Sequence, residues 1–350
     1  MENKTNNKFT PLSTLGEFGL IDKLTKNLKI LHKSTIKGIG DDAAVLDYGE
    51  KFIVLTTDIL TEGVHFNLVY MPLKHLGYKA VVVNLSDIYA MNAYPRQITV
   101  SITISAKFSV EHIEELYQGI KFACDKYGVD LVGGDTTSSY TGLTISIAAI
   151  GEAAKNKVVY RSGAKENDLI CVSGNLGGAY MGLQLLERER KLFEKGSVER
   201  PDFGDYNYIL ERQLKPEARK DIIEMFKETG IKPTSMIDIS DGLSSELLHI
   251  CKSSGIGCSV YQDKIPIDKE TVIMAEEFHI PPLTAALNGG EDYELLFTVP
   301  LDTYDIISAR PEVSIIGHIS KQETGCRLIL SSGSEVEITA QGWNALKDQQ

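Results

Sequence analysis

The stretch from residue 73 to residue 91 is apolar on almost every side, yet it carries a carboxylate. Its sequence, LKHLGYKAVVVNLSDIYAM, predicts a helix that is buried all round. Asp87 lies among valine, leucine and isoleucine, and Asn84 lies one turn earlier on the same side. No Lys or Arg lies at helical spacing on that face between Lys79 and Met91. A buried carboxylate without a partner is costly, so Asp87 needs a cation or dense hydrogen bonding, and a metal ion is the sharper hypothesis.

Five further acidic motifs lie at the ends of predicted elements. Any single Asp in a loop is more often a turn residue than a functional one. Asp58 and Asp135 stand out because each ends or follows an apolar strand, where side chains emerge into a crevice, and the two glycines before Asp135 allow close approach of a ligand. The motifs are Gly40-Asp41-Asp42, Thr56-Thr57-Asp58, Gly133-Gly134-Asp135-Thr136-Thr137, Asp238-Ile239-Ser240-Asp241-Gly242 and Gly289-Gly290-Glu291-Asp292.

The motif at residues 238–242 connects a predicted strand to a predicted helix. Ser240 or Asp241 is a natural N-cap for that helix, which leaves Asp238 unexplained. Oxygen ligands with no cluster of His or Cys select Mg²⁺ or Ca²⁺, and no EF-hand pattern is present. Because Mg²⁺ is usually held by a few carboxylates together with substrate phosphates, the residues alone indicate an acidic, Mg²⁺-dependent α/β enzyme with phosphate substrates.

The order of predicted elements indicates an α/β or α+β fold. Helices are predicted over residues 17–31, 73–91 and 110–127, and strands alternate with them. Residues 151–168 are polar and contain glycine, which predicts a boundary between two domains, 1–152 and 153–350. The loop SGNLGG at residues 173–178 could hold a phosphate, but we expect a tight turn between a strand and a helix.

The net charge of −12 argues against a protein that binds nucleic acid or an anionic membrane, since both need a basic face. No apolar run approaches the roughly 20 residues that span a bilayer, and the polar N-terminus has no signal peptide. Five cysteines form no CxxC pair, which argues against a zinc site and fits a reducing cytoplasm.

Seven motifs in register resemble the thiamine-monophosphate kinases, within the superfamily of aminoimidazole-ribonucleotide synthetase-like proteins. The resemblance covers residues 16–343 and is carried by GIGDDAAV, TTD followed by GVHF, YKAVVVNLSDIYAM, LVGGDTT, RSGAK, MIDISDGL and GGEDYELLF. It implies two mixed-sheet α/β domains, with N-terminal domains pairing in a homodimer. It also implies ATP-dependent phosphorylation of thiamine monophosphate to thiamine diphosphate, with several Mg²⁺ ions.

The resemblance also implies roles for individual residues. Tyr117, Gly134, Asp135, Arg161 and Ser240 would contact ATP. His65, Glu291 and Trp343 would contact the substrate. The metal ions would be surrounded by eight side chains, of which Asp42, Asp58, Asp87, Asp135 and Asp238 would be catalytic through the metal: Asp42, Thr56, Thr57, Asp58, Asp87, Asp135, Asp238 and Asp241.

One position departs from the family pattern. The family usually has Gly-Ala after SDIYAM, and this chain has Asn92-Ala93. Asn tolerates a left-handed backbone, so we expect the turn to survive.

The implied chemistry is direct in-line transfer of the γ-phosphoryl group. ATP and a phosphate monoester are both anionic near neutral pH, so cations must lie between them. The attacking phosphate oxygen is already deprotonated, so no general base is expected. Catalysis would consist of positioning and of charge stabilisation by metal.

Two alternatives stay open from the sequence. The first is another ATP-dependent enzyme of the superfamily, such as the purine-pathway synthetase, selenophosphate synthetase or the hydrogenase-maturation protein. Selenophosphate synthetase would need a reactive Cys or selenocysteine near the N-terminus, and the first cysteine here is Cys124 in a predicted helix. The second alternative is a catalytically silent protein that binds Mg²⁺ or a nucleotide, which should have lost some acidic positions.

Overall fold

Two mixed β-sheets form the framework of the chain in a computed structural model that describes residues 11–196 and 203–340. Within that range the first sheet has the strand order β1-β2-β3-β6-β4-β5 and the second β13-β12-β9-β11-β7-β10-β8. Only the β4–β5 and β9–β12 pairings among these strands are parallel. The strands are β1 (Thr35–Lys37), β2 (Ala44–Asp47), β3 (Lys51–Thr61), β4 (Tyr94–Ile104), β5 (Asp130–Ser138), β6 (Thr144–Ala154), β7 (Leu169–Ser173), β8 (Ser235–Asp238), β9 (Gly257–Tyr261), β10 (Leu295–Val299), β11 (Val313–Ser320), β12 (Cys326–Ile329) and β13 (Glu335–Glu337).

Helices cover faces of both sheets, which confirms the predicted mixed α/β class. None of the helices in the described part of the chain is both long and apolar enough to cross a membrane. They are α1 (Gly16–Thr25), α2 (Leu73–Ala90), α3 (Val110–Tyr127), α4 (Gly178–Glu194), α5 (Asn207–Leu214), α6 (Lys220–Thr229), α7 (Leu243–Ser254), α8 (Lys269–Glu277), α9 (Pro282–Asn288) and α10 (Tyr304–Ser308).

Helix α2 lies at the centre of the fold. Fifteen of its eighteen residues are buried, as its apolar sequence predicts. It packs against β3, β4 and β6 of the first sheet, against β8 of the second, and against α3 and α5. One hydrophobic core therefore contains Val81 and Tyr89 of this helix together with Cys171 and Phe297 of the second sheet.

Three sequence expectations can be compared with the observed elements. The helix predicted over residues 17–31 ends at Thr25, because Leu28 and Leu31 have no surface to pack against and lie exposed. Asp135, expected to end or follow an apolar strand, lies within β5, which continues through Ser138. The turn after α2 forms as predicted, with Asn92 at a φ of 53°.

The contact between α2 and α3 depends on two glycines. A Cβ atom on Gly77 would lie 2.0 Å from the carbonyl oxygen of Leu116, and one on Gly119 would lie 1.9 Å from that of Lys74. The two backbones touch at this point, so the position of α2 is fixed by α3 as well as by the sheets.

We expect Gly119→Ala to lower the free energy of unfolding by about 1–3 kcal/mol, because the added methyl group would separate the two helices. Alanine normally stabilises a helix relative to glycine, so the sign is opposite to helix propensity. Urea unfolding measures the change. Gly49→Ala is the matched control, since nothing lies within 4 Å of its Cβ position. A Gly119→Ala protein as stable as the wild type would contradict this packing.

Candidate active site

Three carboxylates from distant parts of the chain meet at the junction of the two sheets. Asp42 precedes β2, Asp87 lies on α2 and Asp238 ends β8. Each offers one oxygen, and the three oxygens lie within 4.8 Å of one another. Asp42 and Asp238 are buried and Asp87 is half-buried. We call Asp42, Asp87 and Asp238 the acidic cluster.

Two neighbouring residues of α2 attach the acidic cluster to both sheets. The Thr56 hydroxyl on β3 donates to Asp87 Oδ2 at 2.5 Å. The Ser86 hydroxyl donates to Asp238 Oδ2 at 2.6 Å. The helix therefore holds a carboxylate of its own against the first sheet and one from the second sheet beside it.

Arg161 is the cation next to the acidic cluster. Its Nη2 and Nε atoms donate to Asp42 Oδ1 at 2.6 and 3.1 Å. The other oxygen, Asp42 Oδ2, is buried and has no hydrogen-bond partner among the described residues. A buried carboxylate oxygen in this state is a ready ligand for a hard cation.

Asp58 lies beside the acidic cluster on β3. Its backbone N–H donates to Asn84 Oδ1 at 3.0 Å, and Asn84 Nδ2 donates to the carbonyl of Ala80. Asn84 thus fixes the strand against α2 at this point. Thr56 lies two residues before Asp58 and on the same face of the strand.

The electrostatics of these groups favour a bound cation. Burial raises the pKa of Asp42 to about 7, with a further rise from Asp238 and an opposing effect of Arg161. Burial also raises the pKa of Asp58 and of Asp238 to about 6. The pKa of Asp87 is raised well above its usual value by burial and then by the charges of Asp58, Asp238 and Asp42. The donor set consists of oxygens only, which fits Mg²⁺.

The loop between β8 and α7 keeps Asp241 available. The N-cap of α7 is Gly242, at a φ of 113° and without a side-chain cap, so the expectation of a Ser240 or Asp241 cap is wrong. Glu246 Oε1 instead accepts the backbone N–H of Asp241 at 3.0 Å. Burial raises the pKa of Asp241 to about 6. Its carboxylate is therefore not used to begin the helix.

A second group of functional candidates surrounds Glu291. Lys79 is buried, and its Nζ lies 3.0 Å from Glu291 Oε1 and donates to the carbonyl of Gln213 at 2.9 Å. Gln213 Nε2 donates to Glu291 Oε2 at 2.8 Å. Burial lowers the pKa of His65, the charge of Glu291 raises it, and the charge of Lys79 lowers it. His65 and Glu291 are thus neighbours.

The backbone at Glu291 is strained and firmly held. Glu291 and Tyr293 have positive φ angles of 66° and 52°, which are uncommon for side chains other than glycine. The N–H groups of these two residues donate to the carbonyls of Ser240 and Ile239 at 2.7 and 2.8 Å. The Glu291 loop and the loop after β8 therefore form one unit.

The loop SGNLGG is a strand-to-helix turn, as expected. Gly174 and Gly177 have positive φ angles of 54° and 81°. The N–H of Gly177 donates to Asp292 Oδ2 at 2.7 Å, and that of Ala179 donates to Asp292 Oδ1 at 3.4 Å. The beginning of α4 is thus satisfied by a carboxylate of this chain.

Four predicted residues lie apart from the acidic cluster. The Thr57 hydroxyl donates to the carbonyl of Ile147 at 3.0 Å, on the opposite face of β3 from Thr56. Gly134 and Asp135 lie within β5, three strands away from β3, or about 14 Å along the sheet. Tyr117 packs on α3 against the larger core. Trp343 lies outside the described residues. The roles of these residues stay predictions.

Gly134 has a packing role of its own. A Cβ atom there would lie 1.8 Å from the carbonyl oxygen of Val100, so only glycine fits where β5 pairs with β4. The glycine can therefore be explained by the sheet itself, without a ligand.

Sequence reasoning missed four polar residues at the site. Ser86, Lys79, Gln213 and Glu246 are all buried. Lys79, Ser86 and Glu246 lie on predicted helices, and a polar side chain in an apolar helix is the signal that could have found the first two. Gln213 gave no such signal, because its contact with Glu291 joins elements 78 residues apart.

The comparisons first define a class of protein. A family model described as "AIR synthase related protein, N-terminal domain" matches residues 40–153, which contain Asp42, Asp58 and Asp87. A solved structure described as "AaThiL complexed with AMPPCP and TMP" superposes with a TM-score of 0.82 at 33% identity, over 97% of this chain and 99% of that one. The fold is thus of the AIR-synthase-related type.

Two curated relatives make the assignment more specific. The thiamine-monophosphate kinase of Aquifex aeolicus is 34% identical over 95% of this chain and 98% of its own length. That of Bacillus subtilis is 32% identical over 95% of this chain and its full length. The chain belongs to the thiamine-monophosphate kinase family.

We expect Asp87→Asn to lower kcat by about 10²–10³-fold while leaving the fold intact, because an amide keeps the hydrogen bond from Thr56 but not the charge. Steady-state kinetics and circular dichroism measure the two effects. Asp125→Asn, an exposed carboxylate on α3, is the matched control. Retained activity of Asp87→Asn would contradict the role of the acidic cluster.

Without metal, stability should fall as pH rises from about 4 to about 7. The folded-state pKa values of Asp42, Asp58 and Asp238 lie above the unfolded value of 3.8, so the folded state binds more protons in this window. Their favourable contribution is complete below the unfolded pKa and is lost as pH rises through the folded pKa values. Thermal unfolding with a chelator measures the slope. Added Mg²⁺ should restore stability at neutral pH, and a metal-free stability that rises across this window would contradict the assignment.

Proposed function

We propose that this chain transfers the γ-phosphoryl group of ATP to the phosphate of thiamine monophosphate, which yields thiamine diphosphate and ADP. The relatives named above are thiamine-monophosphate kinases, and the solved relative was complexed with AMPPCP and TMP. The observation that carries the proposal to this chain is the acidic cluster, where two buried carboxylates and one half-buried carboxylate converge without enough protein cations to balance them.

Mg²⁺ fits this site because the donors are all oxygen atoms and Asp42 Oδ2 lacks a partner among the described residues. When bound, several Mg²⁺ ions would screen the charges of the two phosphate-bearing substrates and stabilise the transferring group. The side chains that would hold them are Asp42, Thr56, Asp58, Asp87, Asp238 and Asp241. Thr57, on the other face of β3, and Asp135, three strands away on β5, are further ligands proposed from the resemblance alone.

The chain's own residues would position the two substrates. Arg161, which now pairs with Asp42, is the side chain available to meet the ATP phosphates, together with the Ser240 loop. The nucleotide would extend toward Gly134 and Tyr117. The acceptor phosphate is already deprotonated near neutral pH, so the chain needs no general base, and the transfer is direct with no phosphoenzyme.

The thiamine part would lie at His65 and Glu291. Both belong to one neighbourhood, and Lys79 and Gln213 hold the Glu291 carboxylate in a single orientation. Because these contacts join α2 to the loop after α9, the substrate would lie where the two sheets meet. Trp343 is proposed to cover it.

The exposed strand β5 supports a homodimer. It lies at the edge of the first sheet and pairs with β4 alone among the described strands. All nine of its residues are exposed, including Val132 at 58%. Unpaired strand edges with apolar side chains are sites of association, so a second copy of the chain is the proposed partner. The cytoplasmic location expected from the sequence stays a prediction.

The test is incubation with ATP, Mg²⁺ and thiamine monophosphate, followed by separation of the products. We expect equimolar thiamine diphosphate and ADP. Unphosphorylated thiamine is the control acceptor and should not react. Failure to form thiamine diphosphate with folded protein would overturn the function, and a labelled phosphoenzyme would overturn direct transfer.

We expect Glu291→Gln to raise the KM for thiamine monophosphate about tenfold and to leave the KM for ATP within about twofold. The amide removes the charge that pairs with Lys79 and so loosens the substrate site. Initial-rate kinetics with each substrate varied measures both constants. Glu335→Gln, an exposed carboxylate on β13, is the control. An equal rise in both KM values would contradict a site specific for the thiamine part.

A further inference from the structure

Three thiols converge beneath α7, away from the acidic cluster. Cys251 lies on α7, Cys258 on β9 and Cys326 on β12. Their Sγ atoms all lie within 4.8 Å of one another. Cys251 follows the N-cap Gly242 by nine residues, which places it about 13 Å along the helix from the active-site loop. The thiol group is therefore distinct from the proposed catalytic site.

The pairing of the strands brings these thiols together. Cys326 and Cys258 are direct partners in the parallel β9–β12 register, so their side chains leave the same face of the sheet. Val260 and Leu328, the next residues on that face, are buried in the smaller core that α7 covers. Cys251 belongs to the same core and approaches from the helix.

Convergence of three thiols is different from a disulfide pair. A disulfide would use two sulfurs and leave the third beside it unexplained. A tetrahedral zinc ion with Zn–S bonds of about 2.3 Å needs sulfur atoms about 3.8 Å apart. The three Sγ atoms lie within 4.8 Å of one another, so side-chain rotations that move them by roughly 1 Å give that spacing. Thiolate ligands select soft metal ions rather than Mg²⁺. The lack of a CxxC pair argued against zinc from sequence spacing alone, but the strand pairing brings together cysteines that lie far apart in the sequence.

We propose that Cys251, Cys258 and Cys326 form a binding site for one Zn²⁺ ion, with an exogenous ligand such as water in the fourth position. Each thiol releases its proton to solvent as its sulfur–metal bond forms. Three thiolates leave the bound site with one net negative charge. Arg327, beside Cys326, provides a nearby positive charge, and its Nε donates to the carbonyl of Thr324 at 3.0 Å.

Cys326 makes the site reachable. It is partly exposed, whereas Cys251 and Cys258 are buried, so an ion has an entry point on one side. The bound ion would join α7 to β9 and β12. Because this site lies away from the acidic cluster, the ion would affect stability rather than phosphoryl transfer. A ligand that binds only the folded state, present at 100 times its Kd, raises the folding equilibrium constant about 100-fold.

The experiment titrates reduced, metal-free, full-length protein with Zn²⁺ against a chromophoric chelator, in excess Mg²⁺ so that the acidic cluster is occupied. We expect one Zn²⁺ per chain. Cd²⁺ should give the ultraviolet charge-transfer absorption of metal–thiolate bonds. Cys326→Ser should weaken binding at least tenfold, and its kinase activity without Zn²⁺ should equal that of the wild type. Cys124→Ser, a cysteine on α3, is the matched control and should bind as the wild type does.

Three results would overturn the site. The first is the absence of a thiolate band in folded wild-type protein, which does not depend on any variant folding. The second is unchanged binding by Cys326→Ser that circular dichroism shows to be folded. The third is formation of an intramolecular disulfide in air with no binding of Zn²⁺ by the reduced protein.

Discussion

The structure depends on a carboxylate held inside an apolar helix between two sheets. Asp87 accepts a hydrogen bond from Thr56 on β3, and the next residue back, Ser86, donates to Asp238 at the end of β8. Two consecutive side chains of α2 thus hold both sheets at one point. The burial that stabilises this helix also makes its carboxylate costly, and the proposed cation would lower that cost.

The net charge of −12 has two parts, an acidic surface and the acidic cluster. Most of the acidic excess is ordinary surface, where many carboxylates pair with lysine or arginine, as Asp47 does with Lys155. The acidic cluster is different, because Arg161 alone among the described cations donates hydrogen bonds to it. Burial raises the pKa of Asp42 and of Asp238, and neighbouring carboxylates raise both further. This imbalance supports the proposal that metal and anionic substrates complete the site.

The sequence pattern predicted those helices and turns that local preference determines. Helix ends and site residues that depend on contacts between distant parts of the chain could not be predicted in this way. The bounds of α3 and the buried α2 follow from periodicity, and the turn at Asn92 follows from backbone preference. The end of α1 does not, because Leu28 and Leu31, which would continue its apolar face, lie exposed. Asp87 could be singled out because a charge in an apolar helix contradicts its surroundings. Gln213 could not, since its importance appears only when α5 meets the Glu291 loop.

The most direct measurement is anomalous diffraction from a crystal of the protein grown with Mn²⁺, an ATP analogue and thiamine monophosphate. We expect an anomalous peak at coordinating distance, about 2.0–2.4 Å, from carboxylate oxygens of Asp42, Asp87 and Asp238. Such a peak would show that the cluster formed by α2 and the two sheets is the metal centre. An ordered complex with no peak between these three residues, or with its metal held elsewhere, would contradict it.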